Sequence, residues 1–287
     1  MPNVEGQIGQ EQPVSPPVQT LHKATKASRR QIARGKIVVL MGTGPLPWIM
    51  INSLTEKFGP VTVLEEDHES KKLFLKRRIK MLGPIKVAGQ VAFGVLLKFI
   101  HKRSAARKES IMKCQNLSSS RPVNCEHHHI GNINSEACRR KLKEINPDAV
   151  VVIGTRMIRR KTLQCVPAPF INYHAGLNPK YRGMNGGYWA HATGDIENAG
   201  VTVHLVDSGV DTGGALYNAS FKAGPRDNFV TYPYLQAAAA RPLLNSAVED
   251  ALKGDKFAFD NRDLPSKQWF HPTIWQYLWT GVTRHVW

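Results

Sequence analysis

The sequence predicts an α/β protein with a mostly parallel sheet flanked by helices. Short β-branched runs such as "KIVVLM" (36–41), "VTVL" (61–64) and "DAVVVIG" (148–154) indicate buried strands. Stretches with helical spacing of apolar residues, such as 45–58 and 136–145, lie along the chain between such runs. Strands that alternate with helices favour parallel pairing, because a crossover helix carries the chain back to the starting edge of the sheet.

Turn signals divide these elements. The turn "GTGP" (42–45) closes the first strand, and Asn146-Pro147 stops the amphipathic helix 136–145. The chain shows no internal repeat. The other predicted elements are helices at 71–82, 84–103 and 228–252 and strands at 168–174, 200–207 and 214–221.

Length and composition bound the class of protein. A chain of 287 residues with 42% hydrophobic content is long enough for one large domain or two modest ones. Its four cysteines show no CxxC spacing, and no stretch has the pattern of a secretory signal, so we expect a reduced, cytoplasmic protein. Residues 1–34 are rich in Pro and basic side chains without an apolar period, which predicts a disordered basic tail.

The positive charge is concentrated in one segment. The formal net charge is +17, and residues 71–113 contain thirteen Lys or Arg against one acid, Glu109. This segment therefore carries a net +12, and the rest of the chain carries only +5. Such a segment indicates an anionic partner or surface.

The "GTG" after the first strand resembles the start of a dinucleotide-binding fingerprint. Its third glycine is missing, and Glu65 and Glu66, near the end of the second strand, do not belong to an otherwise matching unit. The sequence therefore predicts a tight strand-to-helix turn here rather than NAD binding.

Three polar residues form the candidate catalytic group. Asn172 and His174 are two positions apart in "FINYH", so on a strand both side chains leave the same face. Asp211 lies in the glycine-rich turn "VDSGVDTGG" (206–214). In parallel sheets, ligands bind beyond the carboxyl ends of the strands, where polar residues at strand ends meet.

This group lacks a nucleophile, because the chain has no GxSxG elbow and no cysteine near the motifs. The chemistry it suits is direct acyl transfer to an attacking acceptor. Asn172 and protonated His174 would stabilise the oxyanion by hydrogen bonds, and Asp211 would keep His174 charged and help to deprotonate an amine.

The stretch "INYHAGLNPKYRGMNGGYWAHATGDIENAGVTVHLVDSGVDTGGALY" (171–217) resembles the signature of the folate-dependent formyltransferases. That family includes glycinamide ribonucleotide, methionyl-tRNA and sugar N-formyltransferases. The resemblance covers residues 148–221, and "KIVVLMGTG" (36–44) is similar to the family's first strand. It implies a formyltransferase-type, Rossmann-like sheet, the catalytic residues Asn172, His174 and Asp211, and 10-formyltetrahydrofolate as the formyl donor.

The resemblance also implies where the ligands bind. The pterin pocket is expected from the loop 154–158 and the turn 206–211, through Arg156, Met157, Ile158, Val206, Asp207 and Val210. The loop after His174 departs from the usual pattern, which leaves the acceptor contacts open. Tyr181, Arg182 and Gly183 are the candidates for the acceptor, with loop bracing as the alternative role of Arg182.

The implied organisation has three parts. A catalytic domain spans 35–255, with a basic helical insertion at 66–130, and a Trp-rich extension spans 256–287. The initiator-tRNA enzymes carry a further barrel domain that the segment after Ser220 is too short to form, so tRNA is disfavoured as the acceptor. We expect an amine on an amino sugar linked to a nucleotide or lipid. The alternatives are a 10-formyltetrahydrofolate hydrolase and a non-catalytic, membrane-associated binding protein.

For two segments that contain His, the sequence predicts a structural role. In "CEHHHIG" (125–131), adjacent residues rarely point at one metal ion, so the sequence predicts a polar strand or loop and no metal site. His204 in "VTVHLVD" is expected to pack beside the site.

The segment "PIKVAGQVAFGVLLKFI" (84–100) carries a narrow polar stripe of Lys86, Gln90, Gly94 and Lys98 on an otherwise apolar helix. It is short for a membrane span. Burial within the domain or in a homodimer is one interpretation. The other is a peripheral helix at the anionic inner face of a membrane, with the neighbouring basic residues as support. Trp275 and Trp279, at i and i+4 in the extension, fit a packing role, a flat acceptor or an interface.

Overall fold

The computed structural model describes residues 34–257, 259 and 263–287. The predicted basic tail lies outside this range except for its last residue. The helices are α1 Leu46–Phe58, α2 Lys71–Leu82, α3 Pro84–Arg103, α4 Ala105–Cys114, α5 Glu136–Ile145, α6 Arg160–Leu163, α7 Gly186–Ala192, α8 Tyr232–Lys253 and α9 Ile274–Arg284. The strands are β1 Ile37–Met41, β2 Val61–Glu65, β3 Cys125–His129, β4 Ala149–Ile153, β5 Phe170–His174, β6 Arg182–Gly183, β7 Gly200–Leu205, β8 Ala215–Ser220 and β9 Gln268–Trp269.

A seven-stranded sheet has the order β3-β2-β1-β4-β5-β7-β8. The first five strands of this order pair in parallel, whereas β7 pairs antiparallel with both β5 and β8. The prediction of a mostly parallel sheet flanked by helices is therefore confirmed. The β-branched runs of β1 and β4 are buried along their whole length, because helices cover both faces of the sheet.

Two apolar layers sandwich the sheet. Met50 and Leu54 of α1 and Leu244 of α8 pack on one face, whereas Cys138 and Leu142 of α5 pack on the other. These layers cover both faces of β4 and β5, at whose carboxyl ends the candidate catalytic residues lie.

A third apolar cluster joins α3 to the C-terminal extension. Phe93 is fully buried and its ring lies 5.0 Å from Phe229 and 4.7 Å from Tyr277 between centroids. Gln90 is also buried, and its side-chain amide donates to the His271 carbonyl at 2.6 Å. The predicted polar stripe of α3 is thus buried at Gln90, because α3 turns this side chain toward the extension.

Several short elements differ from the sequence prediction. The glycine loop contains α7, and the extension contributes β9, which pairs with β6 in a small parallel sheet. Helix α4 follows α3 after Ser104 without a predicted boundary. Within the described residues, no helix combines the length and the apolar character that crossing a bilayer requires.

Burial of Phe93 generates the first prediction. Phe93→Ala should lower the free energy of unfolding by about 3 to 5 kcal/mol, because it leaves a cavity between α3 and the extension. Val95→Ala, an exposed position on the same helix, should change it by less than about 0.5 kcal/mol. Urea unfolding followed by circular dichroism gives both values, and equal effects of the two substitutions would contradict this packing.

Candidate active site

The site lies at the carboxyl ends of β4 and β5, beside the turn that follows β7. A cavity of about 640 Å³ opens here, within the size range of pockets that bind small molecules. Asn172 and His174 of β5 both line it, as the alternation along a strand predicts. Asp211, from the turn after β7, lines the same cavity, so all three residues of the predicted catalytic group meet here.

Asp211 occupies the centre of this group. Its backbone φ is 51°, a left-handed conformation that aims the side chain back toward the strands. One carboxylate oxygen, Oδ2, accepts from the Gly183 backbone N–H at 2.8 Å and lies 3.4 Å from His174 Nδ1. The other, Oδ1, lies 3.4 Å from Asn172 Nδ2 and 3.5 Å from His204 Nε2.

His204 belongs to the site rather than to its packing. It lies opposite Asn172 in the antiparallel pairing of β5 with β7. Its Nδ1 donates to the Leu205 carbonyl at 2.7 Å, so in the neutral ring Nε2 accepts from Asn172 Nδ2 at 3.0 Å. One amide hydrogen of Asn172 is thus held by His204, and the second faces Asp211 over a longer distance.

His174 is buried between two acceptors. Its Nε2 donates to the Tyr181 carbonyl at 2.7 Å, while Nδ1 faces Asp211. Gly176 permits this approach, because a Cβ there would lie 2.6 Å from His174 Nε2. The ring thus lies between the Tyr181 carbonyl and the Asp211 carboxylate.

The charge of Asp211 follows from these neighbours. Burial raises the pKa of this carboxyl group, but the charge of His174 and the hydrogen bond from the Gly183 backbone N–H are among the interactions that lower it more. The net result is a pKa well below the usual range of an aspartate. Asp211 therefore stays ionised at neutral pH and is a weak base.

All six residues that the resemblance assigns to the pterin pocket line the cavity: Arg156, Met157, Ile158, Val206, Asp207 and Val210. Buried Glu66 fixes the first of them, because its Oε1 accepts from the Arg156 backbone N–H at 2.6 Å. Burial raises the pKa of Glu66, against the hydrogen bond and charge of Arg156.

The three residues expected at the acceptor have different positions. Gly183 lines the cavity, but the Tyr181 side chain is buried in the core and its hydroxyl donates to Asp195 at 2.6 Å. The Arg182 guanidinium donates to Ser266 Oγ and to the Val210 carbonyl, both at 2.9 Å. Tyr181 and Arg182 thus brace the loops of the site, and their side chains do not reach the cavity.

Other residues that line the cavity are not predicted as site residues from the sequence. Helix α2 contributes Phe74, Arg77, Arg78 and Met81, and the extension contributes Gln268, Trp269 and Phe270. Their role depends on how α2 and the extension fold over the sheet edge, which local sequence patterns do not reveal.

The His-rich segment forms the edge strand β3. His127 and His129 share a face, and together with Glu65 of β2 they bring one potential ligand atom each within 4.8 Å of the others. Hydrogen bonds already occupy His127, because Arg121 donates to its Nδ1 at 3.1 Å and its Nε2 lies 2.8 Å from Glu65. That no metal binds here stays a prediction.

Comparisons with known proteins support the resemblance. Residues 104–240 match the family described as Formyl transferase, beginning inside the segment 66–130. The methionyl-tRNA formyltransferase of Koribacter versatilis is 41% identical over 95 residues, which cover 33% of this chain and 30% of that protein. The chain thus aligns with under a third of this relative's length.

Solved structures share the fold. Glycinamide ribonucleotide transformylase 1 of Symbiobacterium toebii has a TM-score of 0.51 at 18% identity, covering 81% of this chain and 94% of that one. A 4-N formyltransferase of Francisella tularensis has a TM-score of 0.50 at 14% identity, covering 84% and 78%.

The fold and the matched region together confirm the predicted resemblance to the formyltransferase family. The named sequence relative acts on methionyl-tRNA by its description, so the comparisons do not support the expectation that tRNA is disfavoured.

The lowered pKa of Asp211 generates the second prediction. A carboxyl group whose pKa is lower in the folded state contributes stability above its unfolded pKa and loses it as the pH falls. The stability advantage of the wild type over Asp211→Asn should be complete at about pH 5 to 6 and shrink below about pH 4. Urea unfolding across this range measures it, and an advantage that grows on acidification would contradict the ion pair.

Proposed function

We propose that this protein transfers the formyl group of 10-formyltetrahydrofolate to an amine. The observation that carries the proposal is the grouping of Asn172, His174 and Asp211 at one wall of a ligand-sized cavity. The absence of a nucleophile in this grouping favours direct attack by the acceptor. The six cavity residues of the pterin pocket support folate as the donor.

In this mechanism the amine nitrogen attacks the formyl carbon and forms a tetrahedral oxyanion. One amide hydrogen of Asn172 makes only a long contact with Asp211, with Nδ2 3.4 Å from Oδ1, and this hydrogen is available to the oxyanion. Collapse then breaks the bond to N10 of the folate, and one proton passes from the amine to N10.

His174 and Asp211 act as a charged pair. Because both ring nitrogens of His174 already face acceptors, the ring stabilises the oxyanion by its charge rather than by a free N–H. Asp211 keeps that charge in place, and its low pKa makes charge pairing its main role ahead of proton removal.

We propose an amino sugar, linked to a nucleotide or a lipid, as the acceptor. Methionyl-tRNA is the competing acceptor, because the sequence relative is named for it. Incubation with 10-formyltetrahydrofolate and each acceptor in turn, followed by mass spectrometry, decides between them: only the true acceptor gains a formyl group.

The third prediction concerns rates. His174→Ala and Asp211→Asn should each lower formyl-transfer turnover by about a hundredfold or more, as loss of oxyanion stabilisation does in other acyl transfers. His128→Ala, on the edge strand β3, should leave the rate unchanged. A folded Asp211→Asn protein with wild-type turnover would refute the mechanism.

We also propose that the protein binds anionic membrane surfaces through α3 and α9. The outer side of α3 exposes Ile85 and Phe99 at 77% and 65%, and α9 exposes Trp279 and Val282, each at 70%. The two helices pack together because Gly89 lets the Trp275 ring lie against α3. We call the exposed apolar side chains of these helices the α3–α9 face: Ile85, Val91, Val95, Phe99, Trp275, Leu278, Trp279 and Val282.

Charge favours an anionic lipid surface over another protein chain of this kind. Neither α3 nor α9 contains an acidic residue, and Lys98, Lys102 and Arg103 are exposed at the end of α3. A second copy would bring like charges together. Each basic residue near an anionic leaflet contributes about 1 kcal/mol.

The fourth prediction is salt-sensitive sedimentation with phosphatidylserine vesicles. Replacement of Lys98, Lys102 and Arg103 by Gln should weaken binding, as should Trp279→Glu, which places a charge in the α3–α9 face. The matched control replaces Lys141 and Lys143 of α5 and Lys161 of α6 by Gln. Wild-type protein that stays in the supernatant at low salt would refute the proposal, and concentration-dependent dimers would favour a second copy instead.

A further inference from the structure

Helix α2 places a buried arginine on the wall of the active-site cavity. Arg78 is only 7% exposed and lines the cavity together with Asn172 and His174. The other basic residues of α2 are exposed to solvent. Arg78 therefore does not belong to the surface charge of this segment.

The neighbours of Arg78 leave its charge without a carboxylate. One of its N–H groups lies 3.4 Å from the Met184 sulfur, and its guanidinium lies 4.9 Å from the centroid of the Phe74 ring. Across residues 34–257, 259 and 263–287 it makes no ion pair. Two other arginines of the cavity wall are paired, Arg77 with Glu69 and Arg156 with Glu66.

This arrangement is unusual in energetic terms. A guanidinium carries five N–H donors and stays charged in proteins, while a thioether is only a weak acceptor. A buried charge without a partner is destabilising, and the Phe74 ring compensates only part of that cost. Burial and the charge of Arg78 together lower the pKa of the nearby His271 to about 4. His271 is therefore neutral near pH 7 and does not repel Arg78.

We propose that Arg78 binds an anionic oxygen group, a phosphate or a carboxylate, of a substrate in this cavity. The planar fork of the guanidinium suits either group. Arg78 contacts Met184. The preceding residue, Gly183, donates its backbone N–H to Asp211. An anion bound to Arg78 would therefore lie beside the loop that supports the catalytic group. This inference rests on the proposed function, because the substrates of formyl transfer offer two such groups.

The two sources are a phosphate of the acceptor and the glutamate carboxylates of the donor. Three probes separate them in isothermal titration calorimetry: inorganic phosphate, 5-formyltetrahydrofolate, and 5-formyltetrahydropteroate, which lacks the glutamate. Arg78→Gln removes the charge, Arg78→Lys keeps it without the fork, and Lys80→Gln removes an exposed charge from the same helix as the matched control. Near-ultraviolet circular dichroism checks that each variant is folded.

If Arg78 binds a phosphate of the acceptor, Arg78→Gln should weaken the binding of inorganic phosphate by about tenfold or more, as expected for a lost charge-assisted hydrogen bond. The binding of both folates should then be unchanged. If Arg78 binds a glutamate carboxylate of the donor, Arg78→Gln should weaken the binding of 5-formyltetrahydrofolate by the same factor and leave the binding of 5-formyltetrahydropteroate unchanged. In either case the affinity of Arg78→Lys for the affected probe should lie between those of the wild type and Arg78→Gln. The affinity of Lys80→Gln should equal that of the wild type.

The proposal is overturned if folded Arg78→Gln binds all three probes as the wild type does, or if the wild type binds none of them. Failure of the proposed function looks different. In that case the probes bind and respond to Arg78→Gln as expected, but the wild type forms no formylated amine from 10-formyltetrahydrofolate.

Discussion

The carboxylate of Asp211 holds the candidate active site together. It receives the backbone N–H of Gly183, faces His174, and lies within 3.5 Å of both Asn172 and His204. Through these contacts it joins β5, β7 and the glycine-rich loop, which are separate in sequence. Its left-handed backbone places the charge where the strands end. A neutral group at this position would leave His174 and His204 without the charge that they face.

The cavity around this carboxylate is built from distant parts of the chain. Residues of β4 and the loop after it form the side that we assign to the pterin, whereas α2 and the extension contribute Arg78 and Trp269. The segments that resemble the formyltransferase family least thus shape the rest of the cavity. The same segments form the α3–α9 face, so the site and the proposed membrane surface share one structural framework.

Much of this could be predicted from the sequence. The strands β1 and β4 follow from β-branched runs, and Asn172 and His174 from strand alternation, because these are local signals. The place of His204 depends on its antiparallel pairing with Asn172, which a parallel-sheet expectation does not include. The burial of Gln90 and Arg78 depends on which side of each helix meets the extension. In a segment so rich in Lys and Arg, no pattern marks one arginine as buried.

The most direct test of formyl transfer follows the atoms of the formyl group. The protein is given 10-formyltetrahydrofolate labelled with ¹³C in the formyl group, in water enriched in ¹⁸O, together with an amine acceptor. Direct transfer predicts a formylated amine that carries ¹³C and the original ¹⁶O, because the oxyanion keeps its oxygen. Labelled formate that contains ¹⁸O, without a formylated amine, would contradict the account and assign hydrolysis to this site.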